Sequence, residues 1–581
     1  MTHSAKPNAL AWSLSWSTCA AVALPLAALP LATLPSAIHA QVRPDAGSTQ
    51  RDLDQRPLEV PRAGPSLPSA PARPALSADQ GARFTVAALT FSGNTAFDAA
   101  TLAGLVQDEL VGKRISLADL QAAAAQITAF YRARGFIVAR AYVPAQKIDE
   151  DGAKVEIAVI EGALGSLNVV NRSRLSEGVM ARFTAPLQPG ALLTQDTFGR
   201  QILLLSDQPG VLAGDGIGAV LRPGREIGRS DMDLNIARAP LATGQVELDN
   251  YGNRLTGATR AGGQLTLLSP LGLGDSFTFR YIDSFQGLSS TTLSASAPLG
   301  GDGLRAGASY AETRYRLGKD FSALQASGTA QSTGGFVSYP WVRTQQWNLN
   351  TSLGFDQRKF VDRVGATSTV TPKHVNVANL TFSGDFRDML AANSVLVWSA
   401  ALVSGRIGID EPGASAADRA AARTQGDFGK LYVSVLYQQL LSRNWVVYGG
   451  LIAQRSTRNL DSSEKLALGG ANAVRAYPVG EAAGDEGQIA TVELRYALPQ
   501  VYGVTPGLVV FADHGVSRIN RVQFAPGDNR RTLGAAGLGF TLFKSQDFSA
   551  KVYWAVKTSS SPAVSDTDRA NRVWAQVVKY F

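Results

Sequence analysis

From Gly244 to the C-terminus, apolar and polar residues alternate in segments of about ten. No apolar run in that stretch reaches the roughly 18 residues a membrane helix needs. Near the end, Phe548, Ala550, Val552, Trp554 and Val556 fall on one face, and Ser549, Lys551, Tyr553 and Lys557 on the other. Ala490, Val492, Leu494, Tyr496 and Leu498 oppose Thr491, Glu493 and Arg495 in the same way. Charged residues inside such strands are tolerable only when they face a wet lumen.

About sixteen segments fit between Gly244 and Phe581, a spacing that suits a crossing strand of about ten residues plus its connection. Short Gly/Pro turns, such as 270–274 and 300–303, follow even-numbered segments. Longer polar loops, such as 410–426 and 517–530, follow odd-numbered ones, although two early outer loops are short. Short turns on one side and long loops on the other are the pattern of an outer-membrane barrel. The predicted fold is a membrane β-barrel of about sixteen antiparallel strands over 241–581, rather than a soluble sandwich or propeller. The chain ends on Phe581, an aromatic on an alternating strand, with Lys579 interrupting the alternation.

Ahead of the barrel lie four further segments. Residues 1–40 read as a signal peptide, with Lys6, an apolar stretch interrupted by Pro25 and Pro30, and a small-residue cleavage site at Ala40. The chain's one cysteine, Cys19, falls in that segment, so the mature chain is expected to carry no disulfide or thiol metal site. Residues 41–82 are a Pro-rich linker in which a short helix over 48–55 fits; a plug for the barrel would have to be this short. Residues 83–162 read as strand, helix, helix, strand, strand: a strand at 84–91, a helix capped by Asp98, a second capped by Ser116 and ended by Gly135, then strands at 138–143 and 154–160. Residues 163–240 repeat that order, with strands at 167–170, 213–222 and 231–237 and helices at 175–183 and 195–206.

The net charge of +8 is scattered and comes with no nucleic-acid motif. Of the four histidines, His3 and His39 lie in the leader. His514 follows Asp513 directly, so on a strand the two point to opposite faces, and His514 is expected to face lipid or the membrane interface. No G-x-S-x-G elbow, H-E-x-x-H or phosphate loop is present. The reading is of a protein that is not an enzyme and needs no cofactor or metal.

Several stretches together resemble the transporters of two-partner secretion, the haemolysin secretion/activation proteins. Tyr131 to Phe136, Pro144-Ala145-Gln146 and Val159-Ile160-Glu161-Gly162 are similar to that family's periplasmic POTRA domain. Leu248-Asp249-Asn250-Tyr251-Gly252 resembles its first barrel strand. Val474-Arg475-Ala476-Tyr477 resembles the V-R-G-Y motif of its inward-folded sixth outer loop, with Ala476 where the family has Gly. An alanine there would be strained if the position needs positive φ. Phe511, Asp513 and Gly515 match F-x-D-x-G on the thirteenth strand, a motif that in the family faces the lumen.

The resemblance implies two POTRA domains in the periplasm, an Arg475–Asp513 salt bridge, and Phe581 as the signal for membrane insertion. It further implies an outer-membrane pore, with outer-membrane lipid and lipopolysaccharide around a monomeric barrel. The POTRA domains would capture the N-terminal secretion domain of one large exoprotein, an adhesin, cytolysin or contact-dependent toxin. That exoprotein would cross unfolded. The alternative is a barrel-assembly factor of the same superfamily, which usually carries three or more POTRA units where this chain has room for two. A passive porin would have no use for the N-terminal domains.

Overall fold

The computed structural model describes residues 44–55, 58–61, 64–65, 83–147, 152–214, 216–226 and 228–581. The signal-peptide assignment and most of the linker lie outside these residues.

The first domain is a four-stranded sheet covered by two helices. Its strands lie in the order Arg114–Ile115, Phe84–Ser92, Ala153–Ile160, Arg140–Tyr142. Asp98 accepts a hydrogen bond from the Thr101 amide and starts the helix Ala99–Leu110. Ser116 and Asp119 form a reciprocal capping box for Leu117–Ala133. Gly135 then turns the chain at φ +91°.

The motif residues hold this domain together. Gln146 is extended backbone by proxy: its amide accepts from Glu156 N and donates to Glu156 O, both at 2.8 Å, which continues the sheet sideways. Glu161 collects the amides of Thr95 and Ala96 at 2.7 Å and the hydroxyl of the fully buried Tyr131 at 3.0 Å. Burial, and then the Glu161 carboxylate, pushes the Tyr131 hydroxyl above its ordinary range, so it stays a neutral donor. Tyr131→Phe removes one donor to a charged acceptor and should cost about 2 kcal/mol, read as faster amide exchange confined to 84–162 of the intact chain.

The second domain has three strands, ordered Ala163–Asn171, Arg229–Ile236, Ile217–Pro223. Its helices are Glu177–Thr184 and a segment predicted as one helix over 195–206. That segment opens as a π-helical turn, Gln195–Gly199, and continues as α-helix through Ser206. The wider turn tucks Phe198 wholly into the core beside Leu164 and Leu234.

Sixteen antiparallel strands then close into one barrel, from Ala242–Asp249 to Asn571–Tyr580. The alternation fixes its two faces. Val492, Leu538, Val552 and Trp554 point out, each about half exposed, while Asp513, Glu493 and Arg475 are buried within. The sixth to eighth strands, Ala326–Arg343, Trp347–Val364 and Thr369–Arg387, run on past the others at the outer end.

The closing seam pairs Gln576–Tyr580 with Gln245–Asp249 over five residues. It is extended at both ends. Gly244 and Phe581 exchange backbone hydrogen bonds of 2.9 and 3.0 Å. The Phe581 ring covers Gly244, where a Cβ would lie 2.5 Å from it. At the other end the Asn250 side chain donates to Val573 O and accepts from Ala575 N, both at 2.9 Å.

The second domain is seated on the short turns. Arg200 donates to Asp302 O and Pro340 O, Asp207 pairs with Arg343 at 2.6 Å, and Ser176 N donates to Gly272 O. The short-turn end is therefore the end that carries the N-terminal domains.

Candidate functional site in the barrel lumen

Residues 457–485 connect the eleventh strand, Trp445–Ser456, to the twelfth, Glu486–Ala497. They fold back into the barrel rather than outward. Leu468, Val474, Ala476 and Tyr477 of this loop have at most 3 % exposure and pack on Phe511, Leu533 and Ala555 of the wall. The polar atoms of the loop are paired just as fully. Glu481 takes the amides of Val564 and Ser565 at 2.9 and 2.8 Å and Arg531 at 3.0 Å. Asp485 takes Leu460 N, Arg521 N and the Lys465 ammonium.

At the tip, Arg475 lies between two wall carboxylates. Its Nε and Nη2 donate to the two oxygens of Asp513 at 2.8 and 2.7 Å, and its Nη1 donates to Glu493 at 2.7 Å. The guanidinium stacks 3.4 Å above the Phe511 ring. Its backbone is held as well, with Arg475 N donating to Asp513 and Trp574 Nε1 donating to Arg475 O. Arg495 pairs with Glu493 at 2.7 Å and Thr491 donates to Asp513, so two cations face two anions. Buried charges each cost several kcal/mol unless matched, and here they are matched with bidentate geometry.

Phe511, Asp513 and Gly515 share the inward face of the thirteenth strand, Thr505–Arg518, and His514 points outward. Gly515 lies against the loop: a Cβ there would meet the Val474 side chain at 3.0 Å. Ala476 carries no strain, because it is not among the positive-φ residues. The left-handed positions of the loop are Gly470, Gly480 and Ala482. The Ala476 methyl instead joins the fully buried loop core.

Opposite this cluster, the helix Ala46–Asp54 lies inside the barrel. Asp45 caps it through the Ser48 amide. Ala46 N donates to Asp362 of the seventh strand at 2.8 Å, and Gln50 accepts from Thr313 of the fifth at 2.7 Å. Asp45 also takes the Ser462 hydroxyl, Arg51 reaches Ser462 O, and Gln55 reaches Ala467 O. A continuous line of polar contacts thus crosses the lumen, from the fifth and seventh strands through the helix and the loop to the twelfth, thirteenth and sixteenth.

With this geometry, comparison with known proteins is decisive. The sequence model of "Haemolysin secretion/activation protein ShlB/FhaC/HecB" matches residues 228–542, more than half of the chain. This chain belongs to that family. The model of the ShlB-type POTRA domain matches residues 84–162, the first domain. The heme/hemopexin transporter protein HuxB of Haemophilus influenzae is 25 % identical over 550 residues, covering 93 % of this chain and 95 % of HuxB. The outer membrane transporter CdiB of Dickeya dadantii is 25 % identical over 401 residues, 65 % of this chain and 67 % of that protein. The solved structure of CdiB from Escherichia coli superposes with a TM-score of 0.71 at 20 % identity, covering 92 % of this chain and 95 % of that one.

As a member of the haemolysin secretion/activation family, the chain is an outer-membrane transporter of two-partner secretion, with its N-terminal domains in the periplasm. Its family consists of transporters. Sequence reasoning placed Arg475 and Asp513 but missed Glu493, Glu481 and Asp485 as partners. Glu493 was findable: it is inward by alternation and lies one strand over, in register with Phe511.

Proposed function

We propose that the loop 457–485 and the helix Ala46–Asp54 are the resting plug of the secretion conduit, latched by Arg475 between Asp513 and Glu493. The observation that carries this reading is the unbroken line of contacts across the lumen, from the fifth and seventh strands through helix and loop to the thirteenth, which stands in the way of an extended chain. Secretion then requires the plug to shift. The polar lumen and fully paired ions suit such a shift, because each group can exchange its partner for water.

In this reading residues 83–162 and 163–240 act as two POTRA domains that bind the N-terminal secretion domain of one large exoprotein. Among the described residues, the strand Ile217–Pro223 pairs on one side only, which suits addition of a partner strand. The exoprotein is an adhesin, a cytolysin or a contact-dependent toxin, and the name of HuxB makes a hemopexin-binding exoprotein the first to test. The barrel acts as a monomer. Co-expression with the exoprotein encoded beside its gene tests this: deleting 83–240 should abolish export into the medium while the barrel still inserts. Export undiminished by the deletion would refute capture by these domains.

Phe581 is proposed as the insertion signal. Removing it uncovers Gly244 and ends the seam one pair early, so Phe581 deletion should lower the fraction of heat-resistant barrel in the outer membrane. An unchanged fraction would remove that role.

A further inference from the structure

The outer wall carries a feature that secretion does not use. Leu353, Leu380, Leu402 and Leu431 are register partners across the seventh to tenth strands, and Leu431 is in turn the partner of Arg455. The eleventh and twelfth strands pair as far as Gln454 and Gly487, and one step further stand Arg455 and Glu486; Glu486 pairs with Arg518, and Arg518 with Arg530. One row therefore runs from leucines to arginines over eight adjacent strands.

The row climbs the barrel. Leu353 lies six residues into a strand that starts at Trp347, Arg455 ten residues into one that starts at Trp445, and Arg530 fourteen residues from the periplasmic end of its strand at Lys544. At about 3.3 Å per residue and a tilt of about 40°, these heights are roughly 15, 25 and 35 Å. The apolar band of such a barrel is about 25 Å tall. The leucines thus lie in the hydrocarbon, Arg455 at its outer boundary, and Arg518 and Arg530 among the headgroups.

The wall is also indented there. Just above the leucines come the small outward residues Ala378, Ser404 and Gly429, and above them the Arg406–Asp427 ion pair. This leaves an apolar trench of 530 Å³ that ends at Arg455. A second hollow of 670 Å³, lined by Arg455, Arg518, Arg530 and Asp528, continues from that point. Glu486 is taken up by Arg521 at 2.5 Å and lies 3.5 Å from Arg518. Among the described residues, no carboxylate pairs with Arg455 or Arg530.

We propose that this trench and hollow bind one phosphorylated glycolipid of the outer leaflet, an acyl chain in the trench and a phosphate against Arg455, Arg518 and Arg530. Charge complementarity selects the ligand: three guanidinium groups at the edge of hydrocarbon, two of them with no carboxylate among the described residues, favour a phosphate that is itself anchored by acyl chains. The inference rests on the outer-membrane placement of the chain and is independent of the plug.

The test is native mass spectrometry of the purified full-length chain with bisphosphorylated lipid A. One lipid should be retained per barrel, and the triple variant R455Q/R518Q/R530Q should retain it roughly 100-fold more weakly. R314Q, on the exposed face of the fifth strand, serves as the control and should retain it normally. Heat-modifiability of each variant establishes that the barrel is folded. Equal retention by the triple variant would overturn the proposal. So would equal retention of dephosphorylated lipid A or phosphatidylglycerol.

Discussion

Arg475→Ala is expected to leave the barrel folded in the membrane and to remove most secretion. The substitution leaves Asp513 with Thr491 and backbone donors only, and Glu493 with Arg495 alone. Breaking a buried pair by deleting one partner costs about 3–5 kcal/mol, enough to shift a two-state loop by two to three orders of magnitude or more. The barrel itself is held by its strand ladders and should keep its heat-modifiability. Secretion should fall because a loop with no fixed resting place cannot alternate between two defined arrangements. Arg475→Lys should fall nearly as far, since an ammonium cannot reproduce the forked contact with Asp513 and Glu493 or the stacking on Phe511. Full secretion by either variant would remove the latch role.

Deleting residues 45–55 should produce the largest change in conductance. The helix fills the half of the lumen facing the fifth, seventh and eighth strands, through Thr313, Asp362 and Lys373. Without it the polar wall groups Thr313, Asp362 and Lys373 lose their partners in 45–55, and the space beside the apolar cluster of Tyr315, Phe360 and Val375 opens to water. The loop 457–485 loses its contacts through Leu460, Ser462, Ser463 and Ala467 and keeps its anchors at Glu481, Asp485 and Arg475. In planar bilayers the deletion should therefore give a steadily open channel, while Arg475→Ala should give a noisy one. Equal conductance of the deletion and the intact chain would show that the helix does not obstruct ion flow.

The barrel was legible in the sequence because lipid and lumen impose opposite demands on adjacent residues, so the period of two survives in the text. Strand order and the placement of the inward loop between the eleventh and twelfth strands followed from counting. The lumen was harder to read. Ala46–Asp54 is a largely polar helix, AGSTQRDLD, that offers only Ala46 and Leu53 to an apolar patch of the wall, and hydrophobic periodicity cannot flag such a segment. Glu481 and Asp485 look like ordinary loop acids until the fold brings Ser565 and Arg521 to them. The outward row from Leu353 to Arg530 exists only through strand register, which the sequence does not print. The Ala476 departure pointed to strain because the glycine was read as a conformational need. In the fold the position is a packing site.

In the proposed mechanism the loop tip leaves the barrel wall when a partner passes. Val474 and Gly515 touch across that contact, and the chain's one cysteine lies in the segment expected to be removed. A V474C/G515C chain can therefore be closed and reopened at a single defined disulfide while the exoprotein is assayed in the medium. Export should stop when the bond is oxidised and return on reduction. Equal export in both states would contradict this mechanism.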